Sequence, residues 1–179
     1  MLQLAAVLAI AGCANGAPAG APEPEASAKG VATVDSAPGS DTTTLRCGQP
    51  FAPPAAGPLT LTGRFPASAA AGAEAVTGTV EANSRVAVRG TVLPRADVFL
   101  VRDGRIVTIP MPQDAMAVRW DLAPGRTEQL PAEVTLVSCE PGGGSVPAGT
   151  YQVYARVVLT PDDGPGVASF GGPWPIQVR

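Results

Sequence analysis

The sequence predicts an all-β protein, an antiparallel β-sandwich of about 8–10 short strands behind a disordered N-terminal tether. Three observations carry this. The 179 residues include 21 Gly and 20 Pro, a usage that interrupts helices and favours short strands joined by turns. Asp103-Gly104 stands between two apolar, β-prone runs, the mark of a type I′ hairpin. Val146–Thr160 alternates with period 2, so Tyr151, Val153, Ala155, Val157 and Leu159 face one way and Gln152, Tyr154, Arg156 and Thr160 the other. It reads as the central strand.

Charge and composition narrow the function. Net charge is −3, and of the 12 basic residues all but Lys29 are Arg, scattered singly. Nucleic-acid binding needs cations gathered on one surface to release counterions, so no nucleic-acid partner is expected. The chain has 0 His, which removes the commonest general base, the commonest metal ligand and the usual triads. Its 3 Cys fall short of the roughly four thiolates of a Cys-only zinc site. No cofactor and no enzymatic activity are expected. Asp114, Asp121, Glu128 and Glu133 are the acids a carboxylate-based hydrolase would draw on; solvated faces and turn caps account for them as well.

The N-terminus sets the compartment. Residues 1–12 hold the apolar run LQLAAVLAIAG, shorter than the ~20 residues of a membrane span and of signal-peptide length. Ile10-Ala11-Gly12-Cys13 resembles the bacterial lipobox, in which small residues precede a Cys that is lipidated. That resemblance implies a signal peptide at 1–12, a lipid on Cys13 and an extracytoplasmic protein anchored to the bacterial cell membrane. Residues 13–44, rich in Ala, Gly, Pro, Ser, Thr and Glu, cannot bury enough surface to offset ordering entropy and read as a flexible tether. Val31–Val34 carries the weak alternation of an edge strand. With Cys13 lipidated, Cys47 and Cys139 remain, and outside the cytoplasm two remaining thiols most often pair. The alternative is two buried free thiols.

Residues 45–179 read as the folded domain. Leu45–Pro58 is proline-rich and irregular, with Phe51 under the rim. Leu59–Phe65 is the first strand, and Ala67–Glu74 is Ala-rich enough for a short helical turn. Ala75–Ala82 and Arg85–Val92 alternate as strands, joined at Asn83-Ser84. In the Asp97–Ile109 hairpin Val101 faces Ile106 and Leu100 faces Val107. One face carries Val98, Leu100, Val107 and Ile109, the other Phe99, Val101 and Ile106. The core can take one face only. Either Pro110–Trp120 folds back over the second face, bringing Met111, Met116 and Trp120, or the face is an exposed partner-binding patch of Phe99, Val101, Ile106, Met111 and Trp120.

Thr127–Leu130 and Ala132–Cys139 read as two further strands, the second beside Val146–Thr160 across a Gly-rich loop. That loop lacks the Lys and helix start of a phosphate cradle. Asp162-Asp163 sits in the Pro161–Gly166 turn without the ligand spacing of a calcium loop. Pro173–Arg179 supplies a last edge strand.

Pro147-Ala148-Gly149-Thr150-Tyr151 is similar to the end strands of immunoglobulin-like folds, where a Pro-Gly turn precedes a strand-initiating Tyr. Val153 stands where antibody domains carry a Cys. The order Asp103-Gly104, Trp120, Leu122-Ala123-Pro124-Gly125, Pro147–Tyr151 resembles the bacterial immunoglobulin-like domains related to the BsuPI proteinase inhibitor. The resemblance implies an immunoglobulin-like sandwich with Tyr151 as a corner residue, its ring in the core and its hydroxyl on nearby backbone. The function expected is that of a monomeric, non-enzymatic, lipid-anchored domain that binds a protein or envelope component. A proteinase inhibitor presenting Pro110–Trp120 as a rigid loop is the alternative.

Overall fold

The computed structural model describes residues 44–179. Residues 1–43, with the signal-peptide, Cys13, tether and Val31–Val34 readings, lie outside the described residues. Among the described residues the strands are β1 (Thr60–Arg64), β2 (Ser68–Ala69), β3 (Ala75–Asn83), β4 (Val88–Val92), β5 (Asp97–Arg102), β6 (Arg105–Ile106), β7 (Val118–Leu122), β8 (Thr127–Thr135), β9 (Gly149–Leu159) and β10 (Val167–Val178). No helix occurs among them. Three strands pair in the order β1-β3-β8, five in the order β2-β10-β9-β5-β6, and β4 pairs with β7. The result is an all-β sandwich.

β9 is central to the five-stranded sheet, flanked by β5 and β10. Its five inward residues, Tyr151, Val153, Ala155, Val157 and Leu159, are buried against Val76, Val80 and Ala82 of β3 and Leu130, Ala132 and Val134 of β8. Each larger aliphatic side chain so buried contributes about 1.5–3 kcal/mol. The predicted alternation is therefore realised as a core. β4 and β7 add Val88, Val92, Trp120 and Leu122 to that core. Reciprocal bonds between Thr91 and Thr160, at 2.8 and 2.9 Å, tie β4 to the end of β9. A side chain at Gly90 would collide with the Thr160 carbonyl, so the glycine permits this junction.

The hairpin forms as predicted. Asp103 and Gly104 both have positive φ, 50° and 72°, as a type I′ turn requires. Val101 opposes Ile106, and the Val107 N–H donates to the Leu100 carbonyl at 2.9 Å. Both hairpin faces are buried apart from Ile109 at the end of the first, but neither expected arrangement accounts for the second. The cover is the entry segment. The Gly48 N–H donates to the Ile106 carbonyl, the Ile106 N–H to the Gln49 carbonyl and the Phe51 N–H to the Gly104 carbonyl, at 2.8, 3.0 and 2.8 Å. The segment thus lies along the β6 edge. It then carries Phe51 over Phe99 and Tyr154, with ring centroids 4.9 Å from each, and 5.9 Å from Phe170. Leu45 and Phe51 close a second apolar cluster of Phe99, Val101, Ile106 and Tyr154. The segment ends where the Leu59 N–H donates to Ser169 Oγ at 3.1 Å, before β1. The Cys47–Cys139 disulfide, with Cα atoms 5.6 Å apart, fixes its start.

Other expectations are corrected. Ala67–Glu74 makes no helical turn; Ser68 and Ala69 pair in parallel with Gln177 and Val178 of β10. Thr127–Thr135 is one strand running through Pro131, because β8 lies at the sheet edge and Pro131 needs no N–H there. β8 pairs with β3 in the opposite sheet, so it is not a neighbour of β9. Regular pairing in β8 stops at Thr135, and the stretch to Cys139 contributes one isolated bridge, Val137 to Ser145. The last strand starts at Val167, with a register shift between Gly171 and Trp174, and pairs on both sides.

Candidate functional site

The candidate patch does not assemble at the surface. Phe99, Val101 and Ile106 are 0%, 1% and 3% exposed beneath Phe51 and Leu45. Trp120 belongs to the other cluster, between the sheets. Of the five, Met111 alone is exposed, at 56%. Tandem apolar faces in a hairpin thus signal two cores here, one on each side of the sheet.

The exposed apolar surface lies on the chain after the hairpin. Residues 107–117 connect β6 to β7 without regular structure. Pro110 and Pro112 disfavour a helix and withhold two N–H groups. Gln113 pins the connection: its Nε2 donates to the Arg95 carbonyl and to Asp97 Oδ1, both at 3.0 Å. Asp97 is held in turn by Arg156, whose Nε and Nη2 donate to Oδ2 at 3.1 and 2.7 Å. On either side of this pin, Ile109, Met111 and Met116 stay exposed.

Met111 lies in a shallow groove between this connection and the end of β8. One part, about 350 Å³, is lined by Glu74, Ala75, Met111, Glu133, Thr135 and Val137. A second part, about 300 Å³, is lined by Ile109, Pro110, Met111, Pro112, Thr135, Val137, Ser138 and Cys139. The two share Met111, Thr135 and Val137. The alternation reads Val137 as an ordinary strand residue; its exposure follows from β8 ending at Thr135. A regular strand pattern gave no signal of this, because the pattern continues past the point where pairing stops.

The acids do not converge. Asp114, Asp121 and Glu128 stand on exposed surface, and Asp121 accepts from Arg89 Nε at 3.2 Å. Glu133 borders the groove, where the neighbouring acid is Glu74. Among the described residues, no three Cys, Asp or Glu gather as a metal site would require. Asp162, considered for calcium, instead takes both Arg119 Nη1 and Nη2, at 2.9 and 2.8 Å. The hydrogen bonds from Arg119, reinforced by its charge, hold the Asp162 carboxyl below its ordinary range. The core hydroxyl of Tyr151 donates to the Pro147 carbonyl at 2.6 Å and accepts from Arg102 Nη1 at 3.2 Å.

No protein-family model matches the chain, and no curated protein matches it. Among solved structures it is similar to a β-glucosidase from Listeria innocua in complex with glucose, at 16% identity and a TM-score of 0.38. Another structure of a β-glucosidase from Listeria innocua gives 15% identity and a TM-score of 0.39. In both, the match covers 68% of this chain and 16% of that one. The chain therefore spans a small part of that enzyme's length, and likeness of this degree has no bearing on its chemistry.

Proposed function

We propose that this chain is a non-enzymatic, lipid-anchored extracytoplasmic domain that binds a protein or envelope component through the groove at Met111. The observation that carries the reading is the convergence of Ile109, Met111 and Val137, exposed at 41%, 56% and 44%, on one side of the domain. Exposed apolar side chains gathered in a hollow favour a partner over water. The groove is open and shallow, which suits a macromolecular surface better than an enclosed small molecule. Full-length protein used as bait in envelope extract is expected to retain a component that the Met111→Glu variant loses. Identical retention by both proteins would overturn the reading. The address is tested separately: labelled lipid is expected on the wild-type chain and absent from Cys13→Ala, and equal labelling removes the anchor.

A second reading, an extracellular proteinase inhibitor, is favoured by Met116, which is 89% exposed on the connection pinned by Gln113. A held, extended segment loses little entropy on entering a cleft. Assay against serine, cysteine and metalloproteases decides it, and no inhibition in any class removes it.

A further inference from the structure

β7 pairs with β4 on one side and with no described strand on the other. Thr91 of β4 turns both backbone groups toward Thr160. By the alternation of a strand, Gly90 and Val92 turn theirs toward Trp120 and Val118. Arg119 and Asp121 therefore point their N–H and C=O groups away from β4. Those groups pair with no described residue, and no isolated bridge touches β7. The two side chains share one face of the strand, 63% and 65% exposed, with opposite charges. Arg119 gives Nη1 and Nη2 to Asp162, and Asp121 takes Arg89 Nε on Oδ1. Arg119 Nε and Asp121 Oδ2 have no partner among the described residues. On the other face Trp120 and Leu122 are buried, while Val118 is 40% exposed.

Charges on an open edge ordinarily keep other strands away. Two of opposite sign, two positions apart, instead select a register against a second copy of the same strand. Antiparallel pairing centred on Arg119 sets Arg against Arg, and pairing centred on Asp121 sets Asp against Asp; like charges directly opposite are destabilising. Pairing centred on Trp120 sets Arg119 against Asp121 of the second copy, twice. It also sets Val118 against Leu122, twice, and Trp120 against Trp120, so that the exposed side of Val118 is covered. In this register Arg119 and Asp121 exchange both backbone bonds, as their outward groups require. We propose that β7 pairs with β7 of a second copy of this chain about a two-fold axis at Trp120, joining the two β4-β7 sheets into one of four strands. On the charged face Arg89 and Asp121 of one copy then stand in a row with Arg119 and Asp162 of the other, alternating in sign. A two-fold contact occupies both edges, so association stops at the dimer. The sequence alone suggests a monomer; this inference departs from that and does not depend on the groove at Met111.

Sedimentation of the full-length protein over a concentration series is expected to show a dimer, and amide exchange at Arg119 and Asp121 to slow as it forms. Arg119→Asp and Asp121→Arg each set like charges opposite one another, and each is expected to weaken the dimer by about tenfold or more. Mixed in equal amounts, the two variants bring opposite charges together again and are expected to recover most of that loss as a mixed dimer, a recovery that misfolded chains could not show. Met111→Glu is expected to dimerise like the wild type. A monomer at every concentration overturns the proposal. So does a dimer that leaves exchange at the two amides unchanged or is indifferent to both charge substitutions, since the contact then lies elsewhere. Folded variants that fail to recover the dimer on mixing rule out the register, and the proposal with it. Protection of the two amides by envelope extract without self-association gives the edge to another protein and overturns it as well.

Discussion

The Tyr151 hydroxyl donates to the carbonyl of Pro147, four residues upstream, at 2.6 Å. The ring is 1% exposed in the core between the sheets, so the bond fastens the turn before β9 to the strand itself. Arg102 from β5 donates to the same oxygen and places its guanidinium 5.4 Å from the ring centroid. Tyr151→Phe keeps the ring and removes both hydrogen bonds. The expected cost is about 1–2 kcal/mol, read as a lower urea midpoint at unchanged slope. A midpoint equal to wild type would show the corner to be ornamental.

Phe51 seals the outer cluster by edge contacts with Phe99 and Tyr154. Phe51→Ala opens that cluster while leaving the inter-sheet core untouched. Being half-buried, the ring is expected to contribute about 2 kcal/mol, below the roughly 3–5 of a fully buried Phe. Hydrogen exchange should rise at the Gly48 and Ile106 amides, which pair across this segment. Faster exchange in β3 and β8 instead would place the damage in the wrong layer.

Cys47 and Cys139 are 92 positions apart, so their bond closes a long loop. In the chain-entropy model, replacing both by Ser costs about 4–5 kcal/mol. Thermal unfolding of the double variant against the oxidised wild type measures this. The reduced wild type should match the variant, and a reduced protein as stable as the oxidised one contradicts it.

Asp162 titrates below its ordinary value because Arg119 bonds and faces it. A depressed carboxyl stabilises the folded state above its unfolded pKa, and that contribution is lost as pH falls through the lower, folded value. The pair is exposed, so the effect on stability is small and screened by salt. Carbon-detected titration should give Asp162 a midpoint below that of an ordinary aspartate, and Arg119→Ala should raise it. A midpoint indifferent to that substitution would leave the shift without its cause.

Much of the fold could be read locally. Asp103-Gly104 dictates its own turn, and the alternation of β9 reports its burial within one strand length. The disulfide was legible from cysteine number together with the expectation of an oxidising compartment. What escaped was long-range. Nothing local in Gly48–Phe51 says that it will meet Gly104 and Ile106, since prolines mark where a chain cannot pair within a sheet but not which edge it will lie against. Pro131 likewise looked like a break until its edge position made the missing N–H harmless. The groove was legible only through Met111. Val137 joined it because β8 stops pairing at Thr135, and Glu133 because it faces outward on the last strand of its sheet; both are decided by neighbours far away in sequence.

The Cys47–Cys139 bond also sets how the domain bears a mechanical load. A pull between Leu45 and Arg179 enters at Cys47 and crosses directly to Cys139 through the sulfur atoms. The chain between those cysteines, which includes β1 to β8, is bypassed and carries no tension along its backbone. Only β9 and β10 remain on the stressed path, antiparallel neighbours that a pull on Arg179 would open from one end. Once they part, the bypassed loop cannot be drawn out, so the extension released is that of the C-terminal quarter of the chain alone.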